Sequence, residues 1–176
     1  MKQIVKPAAV LLAVCAVVAL LLAGTQVLTR DRIAELEAKQ KAEAILSVLP
    51  TAQTAEKMDR ADMDAYLGKD EAGEPVGYAF VRSAKGYGGD VTVTAGFDTA
   101  GRLTGISVSA PDETPGLGVN VQKDSFLSQF DGIHAGEDLP PVIFVTSATY
   151  SSKAVEVALE EILADCRAVL GEEASE

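Results

Sequence analysis

The sequence predicts an α+β protein: an N-terminal transmembrane helix and a stalk helix, followed by one domain with an antiparallel sheet flanked by helices. Three observations carry this. Residues 8–28 are apolar except for Gly24, Thr25 and Gln26. Three stretches between residues 76 and 110 alternate apolar and polar residues and are separated by glycine-bearing turns. Val155, Leu159, Ile162, Cys166 and Val169 recur at three- and four-residue spacing, the pattern of an amphipathic helix. The expected division is 1–29 anchor, 30–74 helical stalk and linker, and 75–176 sheet-bearing domain.

At about 1.5 Å rise per residue, the apolar run spans about 30 Å, the thickness of a bilayer core. Pro7 suits its first turn. A cleaved signal peptide is the alternative, but its apolar core is usually only about 7–15 residues long. No Ala-x-Ala cleavage site is obvious near Gly24 either, so the run reads as an uncleaved anchor. Lys2 and Lys6 on one side, with Arg30 and Arg32 on the other, leave the orientation undecided by basic-residue count. Residues 31–49 read as a polar, solvated stalk helix with a broken stripe of Ile33, Leu36, Ile45, Val48 and Leu49, stopped by Pro50. Residues 51–74 are polar, with Met58, Met63, Tyr66 and Leu67 as scattered apolar anchors and a surface turn at 68–73.

Strands are expected over 76–83, 90–97 and 102–110, forming a meander. In the second, Val91, Val93 and Ala95 share a face opposite Thr92 and Thr94. In the third, Leu103, Ile106 and Val108 are the apolar positions. Residues 119–130 read as a short helix with Phe126, Leu127 and Phe130 in the core. After a loop over 132–139 and the pair Pro140-Pro141, the run Val142 to Val145 reads as a covered strand that leads into the last helix. Residues 171–176 form an acidic tail.

The net charge is −11. Residues 1–29 hold two lysines and no acid, so the rest of the chain carries −13. Such a domain has no basic patch for nucleic acid and is repelled by anionic lipid. Cys15 lies in the apolar segment and Cys166 on the last helix, so a disulfide between them is not expected. His134 is the only histidine, there is no Cys-x-x-Cys, and neither a zinc site nor a Ser-His-Asp triad is expected.

Two stretches carry candidate chemistry. Thr146, Ser147, Ala148, Thr149, Ser151, Ser152 and Lys153 lie where the last helix begins. Free N–H groups there favour an anion. Hydroxyls at such a place cap the helix, or hold or become esterified to a phosphate; on this stretch alone capping is preferred. The second stretch is Glu113-Thr114-Pro115-Gly116-Leu117-Gly118. Thr114 to Leu117 suits a β-turn with positive φ at Gly116, and Gly118 leaves backbone bare enough to lie against a flat ring. A plain surface turn is the simpler alternative. Tyr78, Tyr87 and Tyr150 read as half-buried core rather than as ring-stacking residues.

Taken together, the anchor, the ETPGLG loop, the SAT motif and the last helix resemble the FMN-binding family to which the G subunit of the Rnf electron-transport complex belongs. The C subunit of the sodium-pumping NADH:quinone reductase is similar. The resemblance covers nearly the whole chain. It departs at Ser147, where the family usually has Gly, and at Ile143, where an Asp is often found. The resemblance implies FMN joined by a phosphoester to Thr149, installed by a flavin transferase that uses FAD and magnesium. Thr146, Ser147, Ser151, Ser152 and Lys153 would meet the phosphate, and Ala148 belongs to the same motif. Glu113, Thr114 and the Gly116, Leu117 and Gly118 backbone would border the isoalloxazine, with Glu113 accepting from the ring or merely fixing the loop. The resemblance further implies an N-terminus inside the cell (inner) membrane and a domain on its outer face. It implies an electron relay between other subunits of a ferredoxin:NAD oxidoreductase complex that translocates ions, not catalytic in isolation. The alternative is a membrane-anchored binding or sensory module on the same scaffold.

Overall fold

The computed structural model describes residues 2–173; the end of the expected acidic tail, 174–176, lies outside the described residues. The chain forms two compact units, residues 1–41 and 42–176. Residues 2–41 of helix α1 (Lys2–Ser47) make up the described part of the first, and the helix ends within the second. It is long and apolar enough to cross a membrane, with a mean hydropathy of 2.7 in its 18-residue window. Hydroxyls in such a helix need partners that water does not supply. Thr25 Oγ1 donates to the Leu22 carbonyl at 2.8 Å, and Thr29 Oγ1 to the Thr25 carbonyl at 2.9 Å. Because α1 starts at Lys2, Pro7 lies beyond the first turn rather than in it.

The second unit contains a five-stranded antiparallel sheet. Its strands are β1 (Thr54–Lys57), β2 (Asp64–Lys69), β3 (Pro75–Lys85), β4 (Asp90–Asp98) and β5 (Leu103–Ser109), side by side in chain order. Strands β3 to β5 match the expected meander. Strands β1 and β2 occupy what the sequence reads as linker. The missed pattern is Met63, Ala65 and Leu67: the first two are buried and the third packs on the same core. The one charge between them, Asp64, reaches across to edge strand β1, with Lys57 Nζ 3.1 Å from its Oδ1.

One face of the sheet carries Tyr78, Phe80, Val91, Val93, Ala95 and Phe97 into the main core. Helix α3 (Thr149–Glu173) covers it, burying Val155, Leu159, Ile162, Cys166 and Val169 as the periodicity requires. Burial pushes the Cys166 thiol up to about 12. Arg82 on β3 ties this face to α3 through two hydrogen bonds to Asp165, at 2.6 and 2.8 Å.

The other face takes Ala79 and Val81 together with Ile45, Val48 and Leu49. The sequence places these last three on a solvated stalk, yet they form a second small core. Thr104 Oγ1 donates to the Val48 carbonyl at 2.6 Å. A Cβ at Gly96 would stand 2.2 Å from that same oxygen, so only glycine lets the backbone pass so close to the sheet.

Three smaller differences have local causes. The apolar positions of β5 switch parity between Leu103 and Ile106 because the register with β4 slips between Gly96 and Phe97. The helix expected over 119–130 is split into a 3₁₀ turn Gly118–Gln122, helix α2 (Asp124–Leu127) and a 3₁₀ turn Ser128–Phe130. Lys123 is extended between the first two, while Phe126, Leu127 and Phe130 are buried as expected. The run 142–145 is not a strand. Side chains satisfy its backbone instead: the Ile143 N–H donates to Gln129 Oε1 at 2.7 Å, and the Val145 N–H to Ser152 Oγ at 3.0 Å.

Candidate functional site

Three segments meet at one end of the main core: the β3–β4 turn, the loop after β5, and the start of α3. The loop folds back through the expected β-turn. The Leu117 N–H donates to the Thr114 carbonyl at 3.1 Å, and Gly116 takes φ +77°.

Glu113 joins the three segments. Its carboxylate is buried, at 3% exposure. Oε1 accepts from the backbone N–H of Tyr87 at 2.7 Å and of Gly88 at 3.2 Å. Oε2 accepts from the Ser151 hydroxyl at 2.9 Å. Burying a carboxylate costs several kcal/mol unless donors replace its water, and these three do so. The packing is close on both sides. A Cβ at Gly86 would lie 2.1 Å from Oε1, and one at Gly118 would lie 2.2 Å from Oε2. Of the two roles open to Glu113 in the sequence, the geometry supports fixing the loop.

Beside this joint opens a cleft of about 380 Å³. It is lined by Glu113, Thr114, Leu117 and Gly118 from the loop, by Ser147 to Ser151 from the helix start, and by Tyr87 from the β3–β4 turn. Thr149 is the first residue of α3 and is exposed. Tyr87 and Tyr150 are 75% and 69% exposed, with ring centroids 6.2 Å apart. The sequence favours a core role for both, and the structure places them outside it; a tyrosine held between glycines in a turn is the available hint for Tyr87. Tyr78 is buried in the main core, in keeping with its sequence context.

The other expected site residues lie elsewhere. Thr146 lines a neighbouring cleft of about 440 Å³, with Asn120, Lys123 and Gln129. Ser152 is buried and accepts from the Val145 N–H, a tie at the helix start. Lys153 donates to Glu156 Oε2 at 2.6 Å on the helix surface, and that hydrogen bond raises its pKa. The carbonyl of Gly116 accepts from Asn120 Nδ2 at 2.8 Å, outside the main cleft.

Ser147 has φ +64° and is the one non-glycine with positive φ among the described residues. A side chain in the left-handed region costs about 1–2 kcal/mol. Ser147→Gly should therefore stabilise the folded chain by about 1 kcal/mol, after allowing for glycine's greater freedom when unfolded. Thermal unfolding of the full chain in detergent checks this, and a lowered midpoint would refute the strain.

The comparisons with known proteins converge on this region. A family model for an FMN-binding domain matches residues 86–164, a stretch that contains every residue lining the 380 Å³ cleft. A second model, the RnfG N-terminal region, matches residues 1–48. The G subunit of the ion-translocating oxidoreductase complex of Methanosarcina acetivorans is 31% identical, over 90% of this chain and 92% of its own. This chain belongs to the RnfG family. A second member, the G subunit of the Na(+)-translocating ferredoxin:NAD(+) oxidoreductase complex of Acetobacterium woodii, is also 31% identical, over 88% of this chain and 87% of its own. The crystal structure of the C subunit of Na(+)-translocating NADH-quinone reductase from Parabacteroides distasonis shares the fold. It has a TM-score of 0.59 at 18% identity and covers 80% of this chain and 96% of that one. The chain is thus an RnfG-family protein with an FMN-binding domain and an N-terminal helix long and apolar enough to cross a membrane.

Proposed function

We propose that this RnfG-type protein carries FMN covalently, esterified through its phosphate to Thr149. In this reading it relays electrons between other subunits of an Rnf-type complex that couples ferredoxin and NAD to ion translocation. The observation that carries the reading is an exposed threonine hydroxyl at the first turn of α3, opening onto a cleft of about 380 Å³. The residues present fit such a group. Gly118 offers backbone without a side chain, Leu117 and the two tyrosines offer apolar surface, and the helix start favours the phosphodiester's charge by about 0.3–1 kcal/mol. FMN, when bound, supplies reversible one- and two-electron transfer. The chain's own residues do the rest. Thr149 holds the phosphate, Ser147 and Ser151 border it, and Glu113 keeps the loop and helix start in register. The hydroxyl must remain open to a flavin transferase, for which this chain is the substrate. The domain sits on the outer face of the membrane, N-terminus inside, where a cofactor lost from a non-covalent site could not be recaptured.

Co-expression with an active flavin transferase tests this. The protein should give a fluorescent band under ultraviolet light on an unstained denaturing gel. A dark band despite active transferase would reject covalent attachment and favour a binding or sensory module.

A further inference from the structure

We propose that Tyr87 and Tyr150 form the platform on which the isoalloxazine ring rests, with Glu113 as the positioning residue that brings the two rings together. The inference rests on the FMN reading of this cleft and assigns the ring's contact surface within it.

Large aromatic side chains in a folded domain are usually covered. Here Tyr78, Phe80, Phe97, Phe126 and Phe130 obey that rule, whereas Tyr87 and Tyr150 remain largely in solvent. Both line the same cleft although they come from distant parts of the chain. Their centroids are 6.2 Å apart with planes inclined by 40°. A third ring inserted between them would need two contact gaps of about 3.5 Å each, more than this separation gives. The pair therefore acts as one tilted surface that a flat ring meets from the cleft side.

The pairing is not left to the tyrosines themselves. Oε1 of Glu113 holds the Tyr87 N–H, and Oε2 holds the hydroxyl of Ser151, the residue after Tyr150. One buried carboxylate thus holds the backbone of Tyr87 and the side chain that follows Tyr150. Tyr150 also follows Thr149 directly, so the ring surface and the tether share the first turn of α3.

A phenol in contact with a flavin quenches its emission by reversible electron exchange, with no net chemistry. The test uses flavinylated full-length protein in detergent. Intact mass is measured first. Then the flavin emission in native buffer is divided by that of the same sample after denaturation. The parent protein should be strongly quenched when native. Tyr87→Leu and Tyr150→Leu should keep the flavin mass, and each should raise the ratio by about twofold, the double variant more. Glu113→Gln should raise it less than either, since an amide still accepts from the Tyr87 N–H. An unchanged ratio in the double variant would overturn the platform while leaving the FMN reading intact. A parent protein with no flavin mass would overturn both.

Discussion

Thr149→Ala should abolish the flavin adduct altogether. Thr149 stands alone at the opening of α3 in being exposed and positioned on the cleft as an aliphatic hydroxyl without a structural task. Ser151 is committed to Glu113 Oε2, and Ser152 to the Val145 N–H. Ser147 lines the cleft but lies in the left-handed turn before the helix. Neither Ser151 nor Ser152 can take over the ester without giving up its bond, and Ser147 lies outside the helix. The expected result is a protein of unmodified mass and a dark band, with stability changed by no more than about 0.5 kcal/mol, as for other exposed substitutions. Thr149→Ser should keep a fraction of the adduct, because the hydroxyl stays at the helix start. Full flavinylation of the alanine variant would move the attachment elsewhere and sink the assignment.

Glu113→Ala should be the most damaging single change in the site. It strips acceptors from three donors at once: the N–H groups of Tyr87 and Gly88 and the hydroxyl of Ser151. Each unsatisfied buried donor costs about 1–3 kcal/mol, less where water enters the space left by the side chain. A loss of about 3 kcal/mol is expected in denaturant unfolding of the full chain. Glu113→Gln should cost only about 1 kcal/mol, since the amide oxygen still accepts and the amide nitrogen can donate to Ser151 Oγ. Equal, small losses in both variants would show that the carboxylate is not the joint between loop, turn and helix.

Much of this architecture is legible in the residues. The stripe of α3, the alternation of β4 and the turn at Thr114 to Leu117 are local patterns with one cheap solution, and the structure adopts them. What escapes notice depends on distant partners. Strand β2 looks like linker because its second face carries Asp64 and Tyr66, the latter packed on the distant second core, and only pairing with β1 and β3 makes it a strand. The end of α1 looks like a stalk because a sheet face with room for it cannot be read from Ile45 and Leu49. Conversely, Val142 to Val145 look like a strand, but the side chains of Gln129 and Ser152 take the hydrogen bonds a neighbouring strand would have used. Thr149, Glu113 and Gly118, named by the motifs, all line the cleft. Lys153 reads as a phosphate partner from its place near the helix start, and in the structure it donates to Glu156 one turn on.

The order of the elements along the polypeptide has a bearing on how the mature protein is made. Sheet neighbours are also chain neighbours, so the five strands can pair one after another through short-range contacts. Helix α3 follows all of them in the chain, and it brings both the cover of the hydrophobic interior and Thr149. Under the proposed attachment, a chain cut short before α3 would lack the threonine that the transferase needs. On the proposed attachment of FMN to Thr149, charging of the protein would therefore follow assembly of the sheet.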